Sequence, residues 1–126
     1  MNRINEGYIN GMEINKFPDT DLVSIFNRKI KHLLTKESII LEVGCGCGNN
    51  LRMLAEYDYN NVNGIDISEK AIEIAKNQLN KYNKNYNLLS IDFNLYKNNK
   101  LFDLIIDRGC ITHVKNNPTD TIKKIH

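Results

Sequence analysis

The sequence predicts an α/β fold built on a parallel sheet, and three observations predict it. Short runs rich in Ile, Leu and Val alternate with segments whose apolar residues recur at helical spacing. Four such runs each finish on or beside a carboxylate, the first of them followed by a cluster of glycines. The chain has 126 residues, enough for one domain with its own core and not for two. Strands and helices alternating in this way form βαβ units, whose right-handed crossovers make neighbouring strands parallel.

Residues 1–18 are polar and aperiodic, an N-terminal arm ended by Pro18, and a single domain is expected over 19–126. The first helix is expected from Asp19 to Leu34, with Leu22, Val23, Phe26, Ile30, Leu33 and Leu34 on one stripe. Asp19, Thr20 and Asp21 supply capping oxygens and negative charge at its start, and Arg28, Lys29, Lys31 and His32 put positive charge near its end. Ile39 to Val43 reads as a buried strand, because β-branched residues run straight into glycines. Gly44-Cys45-Gly46-Cys47-Gly48 then leads into a short helix carrying Leu51, Leu54 and Ala55. Val62 to Ile67 is the second strand. Ser68 caps the next helix, whose stripe is Ala71, Ile72, Ala75, Leu79 and Tyr82. Tyr82 to Asn87 reads as a polar turn and Leu88 to Ile91 as the third strand, ending at Asp92. Phe102 to Ile106 is the fourth, ending at Asp107. The connection between them, Phe93 to Leu101, spans at most ~30 Å, which leaves little room for a helix. Pro118 to His126 reads as the start of a further helix.

Composition narrows the function. With 41% apolar and 25% charged residues the chain is ordinary globular material. Its 17 Lys+Arg against 15 Asp+Glu give a net charge of +2, with the lysines scattered, so nucleic-acid binding gets no electrostatic support. No apolar run approaches the ~20 residues of a membrane span, and the first ten residues lack a signal-peptide core. Three cysteines, an odd number, point to a reducing, cytoplasmic compartment. Cys45 and Cys47 have no second Cys/His pair near them in sequence, so they are read as small residues filling a tight loop and no metal is expected.

In an open α/β sheet, ligands bind beyond the carboxyl ends of the strands. Here those ends carry Glu42, Asp66, Asp92 and Asp107. Gly44 and Gly46 at a strand–helix turn suit close backbone approach to a nucleotide, and Asp66 suits a ribose-hydroxyl acceptor. A dinucleotide fingerprint would want glycine at position 49, which is Asn49; the third glycine falls at Gly48. A pyrophosphate beside Glu42 would also meet like charge. A ligand with cationic centres and no phosphate suits this rim better, and S-adenosylmethionine has that chemistry.

Leu41 to Asn50 (LEVGCGCGNN) resembles the first motif of class I S-adenosylmethionine-dependent methyltransferases, and Gly64-Ile65-Asp66-Ile67-Ser68 resembles their second. Ser90-Ile91-Asp92-Phe93 stands where the family has its adenine-contacting acidic motif, and Phe102 to Gly109 (FDLIIDRG) resembles the fourth-strand motif. The resemblance implies a Rossmann-like, doubly wound parallel sheet in the order 3-2-1-4. Strands five to seven of the family fold find no counterpart, so the domain is expected to be C-terminally truncated by roughly 60 to 100 residues. The resemblance also implies roles. Glu42, Gly44, Cys45, Gly46 and Gly48 would shape the pocket for the methionine part. Asp66 would take the ribose hydroxyls, with Ile67 against the adenine; Asp92 would take the adenine amino group, with Phe93 beside it. Asp107 and Arg108 would lie at the methyl-donor end, and Tyr8 and Phe17 could fold over the cofactor.

The expected reaction is methyl transfer from S-adenosylmethionine to a small-molecule acceptor, with no general base identified; His113 is more readily structural. The absence of an Asn-Pro-Pro-Tyr type signature after the fourth strand argues against amino-methylating DNA enzymes. Two alternatives stand beside it: a non-catalytic cofactor-binding fragment, and a nicotinamide-dependent oxidoreductase domain. An exposed, apolar edge on the fourth strand is expected to invite self-association.

Overall fold

The computed structural model describes residues 17–97, 101–107 and 110–114, without the side chains of residues 110, 112 and 113. Residues 1–16 of the expected arm, with Tyr8, and also Arg108 and the expected C-terminal helix lie outside the described residues.

Helix α1 starts at Thr20–Ile25 and runs on through a π turn, Phe26–Ile30, into a 3-10 turn, Lys31–Leu33. Asp19 caps it as expected, its Oδ1 accepting from the Leu22 N–H at 3.0 Å. The widening has a local cause. Asn27 Nδ2 donates to the Val23 carbonyl one turn back, at 2.9 Å, and competes with the backbone for that acceptor. The bonding pattern then steps out by a residue, and the Lys31 N–H reaches the Phe26 carbonyl.

Strands β1 (Ile39–Val43), β2 (Asn61–Asp66), β3 (Asn85–Ser90) and β4 (Leu104–Asp107) are parallel neighbours in the order β3-β2-β1-β4. That is the fold class and strand order the sequence implies. β1 leads to α2 (Asn49–Glu56) and β2 to α3 (Glu69–Leu79), each helix crossing back over the sheet. Register places Val62, Ile40 and Leu104 in one row across the sheet, and Leu88, Gly64, Glu42 and Ile106 in the next. Strand side chains alternate between faces, so these two rows share one face. Against it pack Leu22, Phe26 and Ile30 of α1, Leu51 and Leu54 of α2, and Ile72, Ala75 and Leu79 of α3, in a single core. Fully burying an aliphatic side chain of this size contributes about 1.5–3 kcal/mol, which makes this face the main source of stability. Gly64 is what lets α2 approach: a Cβ there would stand 2.7 Å from Leu51 Cδ1 and 2.8 Å from Cys45 Sγ.

Two expectations are corrected. The third strand begins at Asn85, inside the segment read as a turn, because an edge strand tolerates the exposed Asn85 and Asn87 on its pleat. The outer edge of β4 is not open. A fifth strand, β5 (Cys110–Val114), runs antiparallel to β4, with Leu104 opposite Val114 and Ile106 opposite Ile111. Ile111 and Val114 are fully buried and extend the two core rows, so the strand is held by burial as well as by its ladder. The expected self-association surface on β4 is therefore covered. Among the described residues, the short link after β3 holds a 3-10 turn, Phe93–Leu95, where little room for a longer helix is expected.

Candidate functional site

The loop between β1 and α2 is shaped by its glycines. Gly44, Gly46 and Gly48 have φ of +71°, +55° and +87°, a region other residues enter only with strain. Gly48 is doubly constrained, since a Cβ there would lie 3.0 Å from Ala75 Cβ and 3.3 Å from Ala75 Cα on α3. The loop is clipped to β2 by the Gly44 and Cys45 N–H groups, which donate to the Ile65 carbonyl at 2.8 and 3.0 Å.

Asp66 joins loop, strand and helix. Its Oδ2 accepts from the Gly46 N–H at 2.9 Å and its Oδ1 from the Ser68 N–H at 2.9 Å. Ser68 in turn caps α3, its Oγ accepting from the Ala71 N–H at 3.1 Å. A carboxylate offers about four acceptor sites, so each Asp66 oxygen keeps capacity for a further donor such as a ribose hydroxyl. Glu42 is 1% exposed, in the core-facing row beside Gly64, and its Oε2 accepts from Asn50 Nδ2 at 2.7 Å. Asn50 also accepts the Asp19 N–H on its Oδ1 at 2.9 Å, so one amide ties the starts of α1 and α2 to the end of β1.

The remaining expected residues follow the strand ends. Ile67 is exposed directly after β2, and Ser90 Oγ donates to its carbonyl at 3.3 Å. Asp92 and Phe93 follow β3. Asp92 accepts from the Asn94 N–H at 2.9 Å, and Phe93 is exposed. Asp107 stands opposite Val43 at the end of β4, half-buried and on the other face of the sheet from Glu42. Asp66 is thus tied to the loop by a hydrogen bond and Glu42 to the start of α2, while Asp92 and Asp107 flank them along the same edge on either side. Phe17 is exposed.

The loop thiols are chemically quiet. Burial, with Glu42 and Asp66 close by, pushes Cys45 far above the ordinary thiol range, and burial with Asp66 pushes Cys47 up as well. Both are free thiols that fill space, as the sequence suggests. Among the described residues no group of three or more His, Cys, Asp or Glu could hold a metal ion. A groove lined by Ile39, Asn61, Asn63, Asn85, Tyr86 and Asn87 lies at the opposite, N-terminal end of the strands. Its amides are engaged locally, Asn63 Nδ2 donating to the Ile40 carbonyl at 3.0 Å and Asn85 Nδ2 to Asn61 Oδ1 at 3.3 Å.

Sequence reasoning missed Asn50 and Gln78, whose amides support the site. Asn50 closes the first motif, but its bonds to Glu42 and Asp19 carry no sequence pattern of their own, and Gln78 lies outside every motif and reaches the loop only through the fold.

The family model described as a methyltransferase domain matches residues 40–126, and the chain belongs to that family. The expected class, the S-adenosylmethionine-dependent methyltransferases, is borne out, and S-adenosylmethionine is the cofactor of that class. EEF1A lysine methyltransferase 2 of Danio rerio is 36% identical over 89 residues, covering 69% of this chain and 38% of that protein. An uncharacterised methyltransferase of Schizosaccharomyces pombe is 39% identical over 80 residues, covering 61% of this chain and 53% of its own length. The chain therefore spans between about two fifths and one half of these relatives. Among solved structures, a methyltransferase from Thiobacillus denitrificans in complex with S-adenosyl-L-homocysteine superposes with a TM-score of 0.65 at 21% identity. The match covers 85% of this chain and 43% of that one, and it shows a shared fold. Among the described residues no helix is long and apolar enough to cross a membrane.

Proposed function

We propose that the chain, over 19–126, is the cofactor-binding part of an enzyme that moves a methyl group from S-adenosylmethionine to a nucleophilic acceptor. The observation that carries the proposal is the tie between the glycine loop and Asp66, which presents close backbone and a carboxylate with spare acceptor capacity at one strand end. Bound there, the cofactor supplies an activated methyl on a sulfonium that is already a good leaving group. The protein's part is to bind and orient. Gly44, Cys45, Gly46 and Gly48 shape the methionine end, with Glu42 beneath them. Asp66 takes the ribose hydroxyls with Ile67 against the base, and Asp92 takes the adenine amino group with Phe93 alongside. Asp107 serves the methyl-donor end, a role that the sequence resemblance extends to Arg108. Calorimetry with S-adenosylmethionine tests this: the wild type binds, and Asp66→Ala weakens binding at least tenfold. Equal heats for the two, or none for the wild type, contradict it.

The acceptor is read as a small molecule, because Asp107 to His113 resembles the small-molecule enzymes of this class. A protein lysine is the second reading, favoured by relatives whose name specifies lysine methylation. Transfer of labelled methyl to a panel of small nucleophiles, against transfer to a lysine-bearing protein, separates the two. The free, buried thiols of Cys45 and Cys47 suit a reducing, cytoplasmic compartment.

A further inference from the structure

Gln78 lies on α3, away from every motif of the site, yet its side-chain amide meets the glycine loop. Its Nε2 donates to the Cys47 carbonyl at 2.6 Å and to Asn49 Oδ1 at 3.0 Å. Its Oε1 accepts from Arg52 Nη1 at 2.6 Å, one turn into α2. The peptide between Cys47 and Gly48 is thereby fixed at both ends. Its carbonyl is held by Gln78, and its N–H donates back across the loop to the Cys45 carbonyl at 3.0 Å. One helical turn earlier, Ala75 closes against Gly48 and leaves no room for the loop to sink. Beside the backbone clip to Ile65, two side chains anchor the loop. Asp66 holds the Gly46 N–H from the strand side, and Gln78 holds the Cys47 carbonyl from the helix side.

We propose that Gln78 is a positioning residue that sets the plane of the Cys47–Gly48 peptide and so shapes the pocket for the aminocarboxypropyl end of the cofactor. It contributes nothing to the adenosine end, which the Asp66 side holds. The proposal rests on the cofactor reading above, and the two halves of the ligand let the two ideas fail separately. Gln78→Glu keeps the shape and an acceptor for Arg52 but cannot donate to the Cys47 carbonyl. Gln78→Met keeps the volume and loses both roles.

The test compares S-adenosylhomocysteine with 5′-methylthioadenosine, which lacks the aminocarboxypropyl group, by calorimetry on the wild type and both variants. Loss of one such hydrogen bond corresponds to about tenfold in affinity. Both variants should weaken S-adenosylhomocysteine by about that factor and leave 5′-methylthioadenosine unchanged. In the ligand-free protein, amide exchange at Gly48 should quicken in both. Equal weakening of the two ligands, or of neither, or unchanged exchange at Gly48, overturns the positioning role. Absence of wild-type binding to either ligand overturns the cofactor reading and this role with it.

Discussion

Adding one methyl group at Gly48 should destabilise the fold through two separable effects. The residue stands at φ +87° as the cap of α2, where an L side chain costs about 1–2 kcal/mol. The new Cβ would also press on Ala75, 3.0 Å from its Cβ and 3.3 Å from its Cα. Overpacking of this kind costs about 1–3 kcal/mol. Gly48→Ala should therefore lose about 2–5 kcal/mol, a large share of the stability of a domain this size. Ala75→Gly removes the nearer contact atom and by itself costs about 1 kcal/mol in helix propensity. The double variant should then lose less than the two single losses added, by about 1 kcal/mol. It should not recover fully, because the left-handed backbone and the Ala75 Cα remain. Urea unfolding of the four proteins in the cycle measures each term. A Gly48→Ala loss under about 0.5 kcal/mol, the ordinary range for surface changes, would refute the packing of α3 on the loop. Strict additivity would do the same.

Other perturbations probe neighbouring links. Asn50→Ala removes a hydrogen bond to the buried Glu42 and an acceptor for Asp19, and should cost about 2 kcal/mol in urea unfolding. Cys45 is a thiol whose folded-state ionisation is pushed upward, so its contribution is fully present below the unfolded-state value near ~8.5 and declines as pH rises above it. Unfolding free energy should fall above that pH with a slope approaching about 1.4 kcal/mol per pH unit, and Cys45→Ala should flatten the slope. An unchanged slope would mean the thiol is not held protonated.

Most of the framework was legible in the sequence because it depends on local signals. The β-branched run before Gly44, the caps at Asp19 and Ser68 and the carboxylates at the strand ends each act within a few residues of their neighbours. The errors arose where a distant partner decides. Asn85-Tyr86-Asn87 reads as a turn by composition, but pairing with Asn61, Val62 and Asn63 makes it strand. Ile111 and Val114 gain their place from burial opposite Ile106 and Leu104, which a scan of residues 110–114 alone does not reveal. The π turn in α1 follows from a side-chain bond by Asn27 that the apolar stripe leaves unmarked. At the site, the loop and its carboxylates carry their own pattern. The Asn50 amide reaches Glu42 once the loop has turned β1 into α2, and the Gln78 amide reaches the loop only after α3 has crossed back over the sheet.

The central claim is that the glycine loop and the row of strand ends form one cofactor site. An NMR titration with S-adenosylhomocysteine tests it most directly. Amide shifts should concentrate at Gly44, Gly46, Gly48, Asp66, Ile67, Asp92 and Phe93, leaving Asn61, Asn63, Asn85 and Asn87 at the other end of the sheet unmoved. Shifts centred on those asparagines, or saturation by NADH in place of S-adenosylhomocysteine, would contradict it.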